Sequence, residues 1–143
     1  MRILVDTPVW SLSLRRKPKD LNADEKRRVD ALASLVRDGD AVLIGPVRQE
    51  LLSGIRDGAV FDRLREALRA FPDDPLVAGD FEEAARASNV CRSAGIAGSP
   101  VDFLICATAL RRKLAIFTLD NDFNQYAKHL PLRLHEPRRK PAK

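Results

Sequence analysis

Histidine and cysteine are scarce in this chain: 143 residues contain two of each, with one tryptophan and one tyrosine. His129 and His135 both fall in the last segment, so a convergent histidine pair for acid–base RNA cleavage is excluded. Cys91 and Cys106 lie in segments of helical pattern without a Cys-x-x-Cys spacing, and read as small reduced core residues. A Gly-x-Ser-x-Gly elbow is missing, which removes a Ser-His-Asp hydrolase. An acidic pair behind the first apolar run is missing too. Asp6 is followed by Thr7 and Pro8, which fits neither a phosphoacceptor receiver nor an Asp-x-Asp phosphatase. Long apolar runs are also lacking. Ile3 to Val5 is too short for a signal peptide and nothing approaches a bilayer span, so a cytoplasmic protein without membrane contact is expected.

What remains is an ordinary globular composition, 45% apolar and 31% charged, in a length that suits one domain with a real core. The net charge of +5 favours a polyanionic partner. Basic residues cluster at Arg15-Arg16-Lys17-Pro18-Lys19, Lys26-Arg27-Arg28, Arg111-Arg112-Lys113 and Arg138-Arg139-Lys140. Each cluster is equally readable as a solvated face.

Short apolar runs alternate with helical stripes. Ile3–Val5, Ala41–Ile44 and Leu114–Phe117 read as buried strands, with briefer candidates at Leu76–Ala78 and Leu132–Leu134. Thr7-Pro8 starts a helix with Thr7 as its cap, and Ser99-Pro100 starts another. Further helices are predicted over Ala23–Arg37, after Gly45-Pro46, around Phe61–Phe71 and Phe81–Cys91, and near Phe123–His129. This alternation predicts an α/β layer fold with a mainly parallel sheet. Residues 1–136 form one domain in this reading, and 137–143 a basic, disordered tail.

Four carboxylates sit where an unpaired charge is costly, at the borders of apolar segments: Asp6, Glu50, Asp102 and Asp120. Asp6 and Asp120 follow strands, Glu50 rides a helix just after one, and Asp102 opens a helix that is apolar on nearly every side. In open α/β sheets ligands bind beyond the carboxyl ends of the strands, so these four are expected at one rim. Each has a plain alternative: a cap for Asp6, a solvated helix charge for Glu50, a dipole complement for Asp102, a turn for Asp120 and Asp122. Together they form an oxygen-rich set for a hard cation, Mg²⁺ or Mn²⁺, and for phosphodiester hydrolysis by metal-activated water.

Four segments in this order carry a resemblance: Ile-Leu-Val-Asp-Thr-Pro-Val-Trp from Ile3, Gln-Glu-Leu-Leu-Ser-Gly from Gln49, Asp-Phe-Leu-Ile-Cys-Ala-Thr-Ala from Asp102, and Phe-Thr-Leu-Asp-Asn-Asp-Phe from Phe117. They resemble a PIN-domain endoribonuclease, specifically the VapC-type toxin of a type II toxin–antitoxin system. The resemblance implies a five-stranded parallel sheet in order 3-2-1-4-5 flanked by helices, and an Mg²⁺- or Mn²⁺-dependent ribonuclease. It makes Asp6, Glu50, Asp102 and Asp120 the catalytic acids, with Asp122 a fifth metal carboxylate and Thr7 and Thr118 supporting them; Asn121 stays outside the set. It further implies a homodimer, an RNA substrate and a small antitoxin partner. The alternatives are a non-toxin RNA-processing nuclease and a silent RNA- or protein-binding module. One departure is the basic stretch Ser11–Leu21, either a binding loop or a solubilising one. Asn89 and Arg92 are further groove candidates, with an exposed helix face the plainer reading of Arg92.

Overall fold

A computed structural model describes residues 1–137. The predicted basic tail therefore lies, beyond Pro137, outside the described residues.

The central strand β1 (Ile3–Val5) is buried along its whole length. It pairs in parallel with β2 (Ala41–Val42), Ile3 opposite Ala41, and with β3 (Ala115–Phe117), Val5 opposite Phe117. The sheet order is β2-β1-β3. A single parallel bridge extends each edge, Leu43 to Asp73 beside β2 and Ile116 to Leu134 beside β3. The expected five positions in order 3-2-1-4-5 are thus occupied, the outer two by bridges instead of strands. Proline explains the truncation: Pro72 and Pro75 bracket Asp73, and Pro131 and Pro137 bracket Leu134. Each lacks the N–H a ladder needs.

The predicted strand at Leu76–Ala78 is corrected. Ala78 opens a helix there, and the Val77 N–H donates to Asp80 Oδ2 at 2.8 Å, which turns the chain away from the sheet edge.

The helices are α1 (Thr7–Arg15), α2 (Ala23–Arg37), α3 (Gly45–Leu52), α4 (Gly58–Leu68), α5 (Ala78–Ser93), α6 (Pro100–Arg112) and the short α7 (Asp122–Tyr126). Their starts follow local chemistry. Asn22 and Glu25 form a capping box on α2, Asp57 caps α4, and Pro8, Pro46 and Pro100 occupy the first turns of α1, α3 and α6. The basic stretch Ser11–Leu21 is not a plain connector: Ser11–Arg15 completes α1 and Pro18–Asp20 forms one 3₁₀ turn. The last helix ends at Tyr126, short of the predicted end at His129.

Fully buried Leu4, Trp10, Leu43, Ile44, Leu51, Leu68, Ile105, Ile116 and Phe117 fill the space between sheet and helices. Both cysteines are free and buried, as expected of small reduced core residues. No helix among the described residues is long and apolar enough to cross a membrane.

One connection matters most for function. Lys113, in the left-handed conformation at φ 57°, ends α6, and Leu114 leads straight into β3. So short a reversal makes α6 run antiparallel to β3. Its N-terminus, with Asp102, therefore returns to the rim where the parallel strands end.

Candidate metal centre

Because all three strands are parallel, Val5 and Phe117 deliver Asp6 and Thr118 to the same edge. The Asp6 N–H donates to the Phe117 carbonyl at 2.9 Å, which locks the two strand ends side by side. Asp6 is only 4% exposed, whereas Glu50 and Asp122 are exposed and Asp102 and Asp120 half-buried.

Hydrogen bonds run continuously through the expected residues. Thr7 Oγ1 donates to Glu50 Oε1 at 2.7 Å. The Thr7 N–H donates to Asp6 Oδ1 at 2.8 Å, and Thr118 Oγ1 donates to Asp6 Oδ2 at 2.8 Å. The same Thr118 hydroxyl accepts the Asp120 N–H at 3.0 Å, and Asp120 Oδ1 accepts the Asp122 N–H at 2.9 Å. Thr7 and Thr118 are the two joints of this chain.

One assignment is corrected here. Asp6, not Thr7, is the N-cap of α1. Thr7 is the first helical residue, and its hydroxyl is engaged by Glu50 rather than by backbone.

Asp102 comes from the opposite side, in the first turn of α6, where Ser99 Oγ accepts its N–H at 3.1 Å. Its Oδ2 accepts the Tyr126 hydroxyl at 2.7 Å. Sequence reasoning missed Tyr126; a tyrosine 24 residues downstream carries no local sign of this contact. Asp102, Asp120 and Asp122 each offer an oxygen, and the three atoms lie within 4.8 Å of one another. Asp6 and Glu50 stand outside this tight trio but face it closely enough to repel it. Asn89 and Arg92 are both exposed on α5, where Asn89 lines a shallow hollow and Arg92 does not.

The electrostatics are those of carboxylates with no counter-charge among the described residues. Burial pushes the Asp6 carboxyl up to about 6 against the lowering pull of Thr118 and Thr7, and Asp102 and Glu50 add to the rise. Burial also raises Asp102, opposed by the Tyr126 and Ser99 bonds and reinforced by Asp120 and Glu50. Burial, the hydrogen bond to Asp102 and the nearby acids push the Tyr126 phenol upward, so it stays a donor. Among the described residues, no lysine or arginine forms an ion pair with any of these five acids. An all-oxygen donor set of this charge fits a hard divalent cation such as Mg²⁺ or Mn²⁺ better than a soft one.

The PIN domain profile matches residues 3–129, which is most of the chain and every residue of the cluster. The chain belongs to the PIN domain family. PIN domains are generally nucleases, and generally use divalent metals. The crystal structure of FitAcB from Neisseria gonorrhoeae is similar at 25% identity and a TM-score of 0.73, covering 94% of this chain and 97% of that one. A structure of FitAB bound to an IR36 DNA fragment is similar in fold, with 22% identity, a TM-score of 0.72 and 94% coverage of both chains. No curated protein matches the chain.

Proposed function

We propose that this PIN domain is the toxin of a type II toxin–antitoxin pair, an Mg²⁺- or Mn²⁺-dependent endoribonuclease of the cytoplasm. The observation that carries the reading is the trio Asp102, Asp120 and Asp122, with oxygens within 4.8 Å and no cationic partner among the described residues. In this reading Asp102, Asp120 and Asp122 hold the cation, with Asp6 completing the inner side. Glu50, exposed and tied to Thr7, faces the approaching strand and orients the attacking water. A cation held there would supply a water of lowered pKa and offset charge on the phosphodiester. Thr118 keeps Asp6 and Asp120 at fixed separation, and Thr7 does the same for Asp6 and Glu50. The net charge of +5 supports an anionic substrate such as RNA.

The likeness to FitAcB supports a small antitoxin as partner, and the family resemblance supports a homodimer. Residues 1–136 are the catalytic domain in this reading.

The purified chain should cleave RNA with Mg²⁺ or Mn²⁺, stop with EDTA, and lose activity on Asp102→Asn. Cleavage that ignores EDTA, or a folded wild-type chain that leaves RNA intact, defeats the nuclease claim. Expression alone should arrest growth, and the product of an adjacent small reading frame should relieve it. Active cleavage without arrest or rescue points instead to a stand-alone RNA-processing nuclease.

A further inference from the structure

We propose that Tyr126 is a positioning residue for the acidic centre: its hydroxyl, seated against Gly98, fixes the Asp102 carboxylate for cation binding. The inference rests on the reading of that cluster as a cation site. Tyr126 is the only tyrosine of the chain and is completely buried. Its ring is wedged between Phe103, with centroids 5.1 Å apart, and Phe123, 5.2 Å away. Such packing leaves the hydroxyl little freedom, and it points at Asp102 Oδ2.

Space for the hydroxyl exists because residue 98 has no side chain. A Cβ on Gly98 would collide with Tyr126 Oη and stand 2.9 Å from Phe103 Cε2. Phe103 directly follows Asp102, so the aromatic cluster also anchors the turn that carries the carboxylate. The Tyr126 hydroxyl holds Oδ2, and Ser99 at the start of the same helix also restrains the carboxyl group. A carboxylate oriented in this way loses less freedom on binding a cation than a rotating one. Partners that orient metal ligands in this way typically account for about 10- to 100-fold in affinity or activity.

A purely structural role, satisfying a buried phenol, predicts something different: lower thermal stability with unchanged cation affinity. Calorimetric titration with Mn²⁺ and thermal unfolding in EDTA separate the two for wild type, Tyr126→Phe, Gly98→Ala and Asp102→Asn. Tyr126→Phe keeps both ring contacts and removes only the donor. It should weaken Mn²⁺ binding at least tenfold, Gly98→Ala should do the same by displacing the hydroxyl, and Asp102→Asn should abolish binding. A wild-type chain that fails to bind Mn²⁺ overturns the cation reading and this proposal with it. Wild-type binding that is lost in Asp102→Asn but within tenfold in Tyr126→Phe overturns this proposal alone, whatever happens to stability. If Tyr126→Phe does not fold, Gly98→Ala decides by the same threshold.

Discussion

Replacing Asp6 with asparagine should make the metal-free protein more stable while removing its capacity to bind a cation. Asp6 is buried at 4% exposure, and its carboxyl is pushed from 3.8 up to about 6. A tenfold change in proton affinity corresponds to about 1.4 kcal/mol, so the ionised carboxylate costs the folded state about 3 kcal/mol at neutral pH. The sign follows from proton binding. The folded state holds the Asp6 proton more tightly than the unfolded chain, so stability is highest below the unfolded value and is lost as pH rises through the folded one. Asparagine has no such loss, and its side-chain oxygen can still cap the Thr7 N–H. The Thr118 hydroxyl, however, loses its carboxylate acceptor while still accepting from Asp120, a cost of about 1 kcal/mol. The net gain of about 2 kcal/mol corresponds to a rise in melting temperature of roughly 6 °C for a domain of this size. Circular dichroism melts in EDTA would measure it. The gain should be absent near about pH 4, grow to about pH 6 and stay level above that. With Mn²⁺ added the order should shift: wild type gains stability by mass action and Asp6→Asn gains little. An asparagine variant less stable than wild type in EDTA at neutral pH, or a difference independent of pH, would refute the reasoning.

Two further substitutions probe separate parts of the structure. Thr118→Val removes the joint between Asp6 and Asp120, leaving a buried acceptor and the Asp120 N–H without partners; it should destabilise by about 1–3 kcal/mol and slow RNA cleavage, and unchanged cleavage would deny the joint a part in the chemistry. Asp80, 1% exposed and paired with Arg112 at 3.0 Å and Arg111 at 3.1 Å, ties the start of α5 to the end of α6; Asp80→Ala should destabilise by about 3–5 kcal/mol in urea melts yet leave Mn²⁺ affinity of the folded protein intact.

Local rules account for much of what could be anticipated. Ser99-Pro100 marks a helix start because capping involves residues two or three apart, and a continuous apolar run such as Ile3–Val5 marks a strand buried on both faces. The same rules fail at the sheet edges. Leu76-Val77-Ala78 is as apolar as a strand, but the Asp80 carboxylate captures Val77 and the edge position goes to Asp73 between two prolines. Thr7 is a reasonable cap by residue type; its hydroxyl goes instead to Glu50, 43 residues away, and Asp6 takes the cap.

The sequence by itself determined the chemical inventory: few histidines, no usable cysteine set, and carboxylates stationed at strand ends and helix starts. It also determined the order of strands and helices apart from the edge at Leu76–Ala78, since hydrophobic periodicity and capping act over a few residues. Tertiary structure alone decided which carboxylates meet. It grouped Asp122 with Asp102 and Asp120, left Asp6 buried, and brought in Tyr126, whose hydroxyl lies where a side chain at Gly98 would stand. The physical reason is one of range. Backbone propensity fixes direction within an element, but distances between oxygens from four elements depend on how parallel strands align and where α6 turns back at Lys113.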